Sequence, residues 1–510
     1  MTSHRPFLRA ARHLMLCAAL ILAACATATP RAPTAFAGSR DLVLTGQVTR
    51  ADWQTYKEIT FDVPAGIERL TIAVSHDGRE AHTTLDLGLV GPNGFRGWSG
   101  SNKTGFTLSA TDATPSFSPG RVEPGRWALL IGVPAIREGV TTRFEARVTL
   151  AGVQARPVEF AAAPIRTTAG WYRGDFHAHT AHSDGSCDSL SGKRTPCPAF
   201  LTLDAARATG LDFVSVTDHN TGAQNNSLRE LQGYYDTLPI VPGQEVTTLF
   251  GHANALGITE PMEFRLGTPY LPNLEPLRDR VAAHGGMLSV NHPGQPTGEA
   301  CLGCGWNAPD AHPERIEAVE VINGGSMAST GLAESPNWGV VFWERLLNQG
   351  LHPTAIGGSD NHDARMTSKQ SPVGMPTTVV YATNLSTAGI LDGVRSGRVF
   401  IDVAGPGRRI IDLAATGPSG EARMGGTLRL AAGQSGRLRI ETQGLAGMTL
   451  QLVTGNGAPA LSLTAPGLAA DTDVRDLALP GSATPYWVRL NVRDASGKLM
   501  LLSNPVYVRP

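Results

Sequence analysis

The chain changes its hydrophobic rhythm twice. Apolar and polar residues alternate in Leu42-Val43-Leu44-Thr45-Gly46-Gln47-Val48-Thr49, Thr60-Phe61-Asp62-Val63 and Leu70-Thr71-Ile72-Ala73-Val74. A period of two predicts strands with one buried face. Turn sequences such as Gly91-Pro92-Asn93-Gly94 and Pro124-Gly125 punctuate them, and further strands are expected around 127–131 and 144–150. Residues 41–160 therefore read as an antiparallel β-sandwich.

Between 170 and 400 the pattern is different. Seven apolar runs, Trp171–His177, Leu211–Thr217, Pro239–Val246, Ala253–Ile258, Met287–Asn291, Ala318–Ile322 and Thr354–Gly357, predict buried strands. Helical spacing appears at Phe200–Thr209, Leu274–His284 and Trp338–Gln349, the last with Val340, Trp343 and Leu347 on one face. Strands alternating with helices predict βα units and a parallel sheet. Residues 401–510 return to strand patterning around 437–440, 450–453 and 487–492, with 504–508 expected to close a sheet. The expected class is α/β, with β-sandwich-like units on both sides of the α/β part.

Composition narrows the function. The 510 residues are 41% apolar and 17% charged, which suits several packed cores and not a disordered chain. Lys plus Arg is 43 and Asp plus Glu is 44, so a net charge of −1 argues against a nucleic-acid binder. Ten of the 14 histidines lie between His177 and His362, and none follows. The chemistry is expected in the middle of the chain.

The N-terminus reads as a targeting signal. Arg5, Arg9 and Arg12 precede an apolar run, Leu14 to Ala24, that is too short to span a bilayer and ends at Cys25. Leu22-Ala23-Ala24-Cys25 resembles a bacterial lipobox, which implies a signal at 1–25, a lipidated Cys25 that holds the protein to a membrane, and a flexible tether at 26–40. With Ala26 after the cysteine, the resemblance implies the periplasmic side of the outer membrane or the cell surface. The alternative is an ordinary cleaved secretory signal. Four cysteines remain, and proximity pairs Cys187 with Cys197 and Cys301 with Cys304 as disulfides. Cys301-x-x-Cys304 could instead be half of a zinc site.

The strongest chemical signal is Asp175-Phe-His177-Ala-His179-Thr-Ala-His182-Ser-Asp184-Gly. On a strand, residues two apart face one side, so His177 and His179 can meet one cation. Further ligand types recur at the ends of successive predicted strands: Asp218-His219-Asn220, Gly243-Gln244-Glu245, Gly251-His252, Asn291-His292-Pro293 and Asp360-Asn-His362. In a β/α barrel those ends converge on one face, which favours a barrel over an open sheet.

These motifs, in this order, resemble the PHP (polymerase and histidinol phosphatase) superfamily, within its CehA/McbA-like branch of metallohydrolases, over about residues 170–400. The resemblance implies a distorted seven-stranded β/α barrel holding two or three divalent ions. It implies one site from His177, His179, Glu245 and Asp360. A second would share Glu245 and add His252 and His292. A third would use Asp184, His219 and His362.

Mixed imidazole and carboxylate ligands suit Zn, Mn or Fe. Such ions can activate a hydroxide for attack on phosphorus. The expected activity is hydrolysis of a small phosphate ester or nucleotide. The alternatives are a carbamate or carboxylic ester hydrolase and a non-catalytic surface lipoprotein. His182 is a candidate proton donor or phosphate contact. Asp175, Asp218 and Asn291 are candidates for orienting the ligand imidazoles, although the two aspartates read equally as ordinary strand-end carboxylates. Arg173, Arg265 and Lys193 are candidate anion contacts. His284 and His352 read as capping or solvated residues. Protein partners are not legible.

Overall fold

A computed structural model describes residues 36–299, 303–310, 312–455, 457–463 and 466–510. The expected signal, Cys25, most of the expected tether and Cys301 lie outside the described residues.

The alternating N-terminal segment folds into eight strands: β1 (Ser39–Thr49), β2 (Tyr56–Val63), β3 (Arg69–His76), β4 (Thr84–Gly91), β5 (Gly94–Ser99), β6 (Gly105–Ser109), β7 (Gly125–Ala135) and β8 (Thr141–Ala151). They form two antiparallel sheets of four, ordered β1-β8-β3-β6 and β2-β7-β4-β5. Their inward residues, among them Leu70, Ile72, Leu89, Trp127, Leu129 and Val148, make one core. β1 already begins inside the expected tether, because Ser39 and Arg40 pair with Ala151 and Leu150.

The central segment contains β9 (Gly170–Asp175), β10 (Ser186–Asp188), β11 (Arg194–Pro196), α1 (Ala199–Ala208), β12 (Phe213–Val216), α2 (Gln224–Gln232), β13 (Ile240–Thr248), β14 (Gly251–Leu256), α3 (Glu275–Ala283), β15 (Met287–Val290), β16 (Ala318–Asn323), α4 (Gly324–Thr330), α5 (Val340–Asn348), β17 (Thr354–Gly358), β18 (Thr377–Ala382), α6 (Thr387–Arg395) and β19 (Val399–Asp402). The C-terminal segment adds β20 (Ile410–Gly417), β21 (Gly420–Arg423), β22 (Thr427–Arg429), β23 (Ser435–Gln443), β24 (Thr449–Thr454), β25 (Thr472–Pro480), β26 (Tyr486–Arg493), β27 (Leu499–Ser503) and β28 (Val506–Arg509).

The fold is mixed α/β and rich in strands. One sheet of 14 strands runs β17-β16-β15-β14-β13-β12-β9-β18-β19-β27-β26-β28-β22, with β24 on β26. The expected all-parallel order is not observed. β13, β14 and β15 run antiparallel in turn. Only Leu249 and Phe250 separate β13 from β14, too little chain for a parallel crossover. The ladder of named strands does not close into a continuous ring, but just past their ends β9 and β17 meet in a parallel bridge of Ala178 with Asn361, where the Asp360 N–H donates to the His177 carbonyl at 2.8 Å and the His179 N–H to the Asn361 carbonyl at 2.9 Å. It continues from β19 into the C-terminal strands. At the seam, side chains stand in for ladder bonds. Asn504 donates to the carbonyls of Ala355 and Val399, both at 2.9 Å, and accepts from the Ala355 N–H at 2.7 Å. The Thr378 hydroxyl bridges the Gly357 N–H and carbonyl at 2.8 and 2.7 Å.

Two buried charge clusters fix the sandwich to the central segment. Asp112 takes both Arg69 guanidinium nitrogens at 2.8 and 2.6 Å and also pairs with Arg229 of α2. Glu68 pairs with Arg280 at 2.7 Å and with His284 at 2.8 Å. His284 does cap α3, its Nδ1 2.8 Å from the Arg280 carbonyl, but it is not solvated. It is buried against a carboxylate from the sandwich. His352 lies flat on Tyr507, with ring centroids 3.6 Å apart.

Candidate metal centre

The central strands are buried on both faces, so their side chains are apolar until they end. At one edge polar residues take over. β9 ends at Asp175, followed by His177 and His179. β12 is followed by Asp218 and His219, and Glu245 lies near the end of β13. β15 is followed by Asn291 and His292, and β17 by Asp360 and His362. His252 joins this edge for a different reason. β14 runs antiparallel, so its start lies opposite Thr247 of β13. His292 and Asp360 hold left-handed backbone, with φ of 29° and 52°. Such conformations in non-glycine residues concentrate at functional sites.

Three groups of potential ligand atoms result. His177, Glu245 and His292 form one; His177, His179 and Asp360 another; and His179, Asp184, His219 and His362 a third. The groups share His177 and His179, so they are one continuous centre. Glu245 Oε2 also stands 3.3 and 3.4 Å from the Nε2 atoms of His177 and His179. His252 comes within 3.3 Å of Glu245 but joins none of the three groups. Asp184, the most exposed member, faces His362 at 3.3 Å and His219 at 3.6 Å.

These donors fit divalent ions. Nε2 of His177, Nδ1 of His179, Oε2 of Glu245 and both ring nitrogens of His252 are buried without a hydrogen-bond partner. Unpartnered buried polar atoms are costly unless something pairs with them. The facing atoms are 3.2–3.6 Å apart. Ligand bonds of about 2.1 Å in a tetrahedron give an edge of ~3.4 Å.

The electrostatics divide the histidines: burial would lower His177, His219 and His292, but Glu245 and the neighbouring carboxylates raise all three, His292 to about 9. Burial alone would raise the Glu245 carboxyl, but the His177 charge and the close rings of His177, His219 and His252 hold it well below the usual carboxylate range. Asp360 is held low in the same way, chiefly by His177 and His179. Burial lowers His179, with His362 and His219 close by, to about 4, so this ring is neutral and free to coordinate.

The rings are held from behind. His292 Nδ1 donates to the Cys304 carbonyl at 2.8 Å, and His362 Nδ1 donates to the Asp360 carbonyl at 2.9 Å. Carbonyls only accept, so in the neutral rings Nε2 is bare and faces the centre. His219 Nδ1 meets the Thr247 hydroxyl at 2.6 Å, and His177 Nδ1 meets Glu320 at 2.9 Å. Sequence reading missed Glu320. Its signal was an acid inside the apolar run Ala-Val-Glu-Val-Ile of β16.

Asp175 and Asp218 do something other than orient imidazoles. Asp175 accepts from the backbone N–H groups of His177, Ser359 and Gly374 at 3.1, 3.0 and 2.7 Å, clamping the β9 and β17 ends together. Asp218 accepts from the Thr180 N–H and hydroxyl and from the Ser183 hydroxyl, each at 2.7 Å, which fixes the loop between His179 and Asp184. Asn291 donates to Glu245 at 2.9 Å, so it positions a carboxylate. His182 is half-buried on the same loop, its Nε2 3.3 Å from the Ser227 hydroxyl. The Cys187–Cys197 disulfide braces this region, where the Ser186 N–H binds the His362 carbonyl at 2.7 Å.

The expected anion contacts do not gather here. Arg173 is spent on the carbonyls of Gly407 and Arg409, and Arg265 on Glu263. Lys193 lies exposed at the turn between β10 and β11.

No protein-family model and no curated protein matches the chain. Among solved structures, it is similar at 17% identity to a two-domain protein from Bacteroides vulgatus containing a predicted PHP-like metal-dependent phosphoesterase, over 69% of this chain and 99% of that one, with a TM-score of 0.35. A β-glucosidase from Kluyveromyces marxianus in complex with glucose overlays on 93% of this chain and 45% of its own at 10% identity, with a TM-score of 0.10. Neither overlay is close enough to carry an argument about fold or activity, and the functional reading rests on the site. No described helix is long and apolar enough to cross a membrane.

Proposed function

We propose that this chain is an exported, metal-dependent phosphoesterase of the PHP type that hydrolyses a small phosphate ester or nucleotide. The observation that carries the reading is that the donor group of His177, His179 and Asp360 shares His177 with one neighbouring group and His179 with the other. Shared ligands place cations side by side, the arrangement suited to in-line displacement at phosphorus. His177, His179, Glu245, His292 and Asp360 would hold two ions, with His252 beside Glu245. Asp184, His219 and His362 would hold a third. Bound Zn, Mn or Fe would supply Lewis acidity and lower the pKa of an attacking water.

The protein's residues do the rest. Asp175 and Asp218 keep the ligand loops in register through backbone amides. His182, on the same loop with its Nε2 beside the Ser227 hydroxyl, donates the proton to the leaving-group oxygen. The lipobox-like sequence supports anchoring at the outer membrane or cell surface through Cys25, and the near-neutral charge supports a small-molecule substrate.

A second reading, hydrolysis of a carbamate or carboxylic ester, is favoured by one observation. Leu249 and Phe250 are exposed at the tip of the β13–β14 hairpin, four and five residues beyond Glu245. An apolar rim suits an aryl or acyl group. The two readings separate in one experiment on the chain from residue 26: metal content per chain, and release of phosphate against naphthol from matched aryl phosphate and carbamate substrates. Phosphate release lost in His177→Ala supports the first. Metal-dependent carbamate cleavage alone supports the second, and fewer than two ions per chain in metal-replete conditions overturns both.

A further inference from the structure

The sandwich has two dissimilar ends. β3 begins beside Glu68 and Arg69, which bind the central segment, and ends at His76. β6 runs the other way, from Gly105 to Ser109, so both strands point their far ends away from the metal centre. Eight residues of β3 span roughly 23 Å at 3.3 Å each. At that far end the sheets part, and a cavity of about 450 Å³ opens between them. Its size is within the range of small-molecule sites, ~300–1,000 Å³.

The lining has one chemical character. Arg79 and Lys103 supply two cationic groups, His76 an imidazole that burial and Arg79 hold below its ordinary value, and Thr83, Ser101 and Asn102 hydroxyls and an amide. No carboxylate lines it. Among the described residues neither Arg79 nor Lys103 has an acidic partner within ion-pair distance. His76 Nδ1 is buried with no hydrogen-bond partner. The nearby Asp77 turns to the neighbouring groove, where it accepts from the Arg143 N–H at 2.7 Å. Val74, Leu85 and Leu87 floor the cavity.

We infer that this cavity is a binding site, separate from the metal centre, for a small hydroxylated anion such as a sugar phosphate or sugar acid. Arg79 offers a fork for two oxyanion oxygens, and Lys103 adds a point charge. The hydroxyls and the amide suit sugar hydroxyls, and the apolar floor suits a ring face.

Calorimetric titration of the chain from residue 26 tests this with glucose 6-phosphate, glucuronate and plain glucose as probes. Both anions bind saturably, weaken with added salt, and exceed glucose by at least about tenfold. Arg79→Gln with Lys103→Gln removes at least about tenfold in affinity, whereas His177→Ala leaves it in place. Lys103→Gln alone, on an exposed loop, weakens binding without threatening the fold. Binding that survives the double substitution and vanishes in His177→Ala places the anion at the metal centre and overturns the inference. Equal binding of glucose, or no binding of either anion, overturns it too. Binding that is lost in the double substitution and kept in His177→Ala is independent of whether the metal centre hydrolyses phosphate esters.

Discussion

Glu320 lies directly behind His177, its Oε2 2.9 Å from Nδ1, while its Oε1 accepts from Asn323 Nδ2 at 2.7 Å. Asn323 Nδ2 is also 3.2 Å from Asp360 Oδ2, so one amide ties together the supports of two candidate ligands. A carboxyl group behind the ring orients a ligand imidazole with Nε2 toward the metal and raises its basicity as a ligand. Glu320→Gln is expected to lower metal affinity about 10–100-fold with the fold intact. Competition against a chromogenic chelator measures this, and an unchanged affinity would refute the role.

The sharing of ligands predicts a hierarchy. His177 belongs to two donor groups and Asp184 to one. His177→Ala is expected to empty most of the centre, while Asp184→Ala removes one ion and leaves the rest. Metal analysis by mass spectrometry distinguishes these. Equal losses from the two variants would mean that the ions bind as one indivisible cluster.

Proton donation by His182 predicts a dependence on the leaving group. For a poor leaving group, His182→Ala is expected to lower kcat by about 10²–10⁴. For a nitrophenolate, which leaves without a proton, the loss nearly disappears. A uniform loss across leaving groups would make His182 a binding residue.

The joint between sandwich and central segment predicts a loss of stability at both ends of the pH scale. Burial would raise Asp112, but Arg69 and Arg229 hold it well below the ordinary carboxylate value. A lowered folded value gives stability that is complete above the unfolded pKa of about 3.9 and lost as pH falls through the folded value. His284 moves the other way. Burial would lower it, but Glu68 and Glu260 raise it above its usual value. Its contribution is complete below about 6.5 and fades as pH rises through the folded value. Denaturant unfolding should therefore weaken on both the acid and alkaline sides. Asp112→Ala, which strands two buried guanidinium groups, is expected to cost about 3–5 kcal/mol and to flatten the acid limb. An acid limb unchanged in that variant would assign the loss to other carboxylates.

The site was more legible than the fold around it. Ligand histidines are rare residues at fixed intervals, so His177, His179, His219, His292 and His362 stand out, and the structure brings them within reach of Glu245, Asp184 and Asp360. What was missed acts through ordinary chemistry. Thr247 holds a ring with a hydroxyl, and Cys304 does so with a carbonyl, which every residue has. Glu320 looked like an interruption of a strand. In the fold, the seven apolar runs became strands because burial on both faces leaves a continuous apolar signature. α2 escaped because Gln224–Gln232 carries a single leucine pair amid polar residues. α6, with two glycines, reads as loop until its Ser386 cap, which accepts from the Gly389 N–H at 3.0 Å, is recognised. The antiparallel turn into β14 is written only in the shortness of the hairpin, and the seam at Asn504 only in three dimensions.

That seam sets an order of events during synthesis. The N-terminal sandwich has every strand it needs once residue 151 has emerged. The central sheet does not. β19 gains its outer neighbour only with β27, and β17 is tied to β19 only by Asn504. At about 5–20 residues per second, roughly a hundred further residues take some 5–20 s to appear. For that interval β19 carries a bare edge. A chain interrupted shortly before β27 would therefore present an open, association-prone edge where the finished protein has a sealed one.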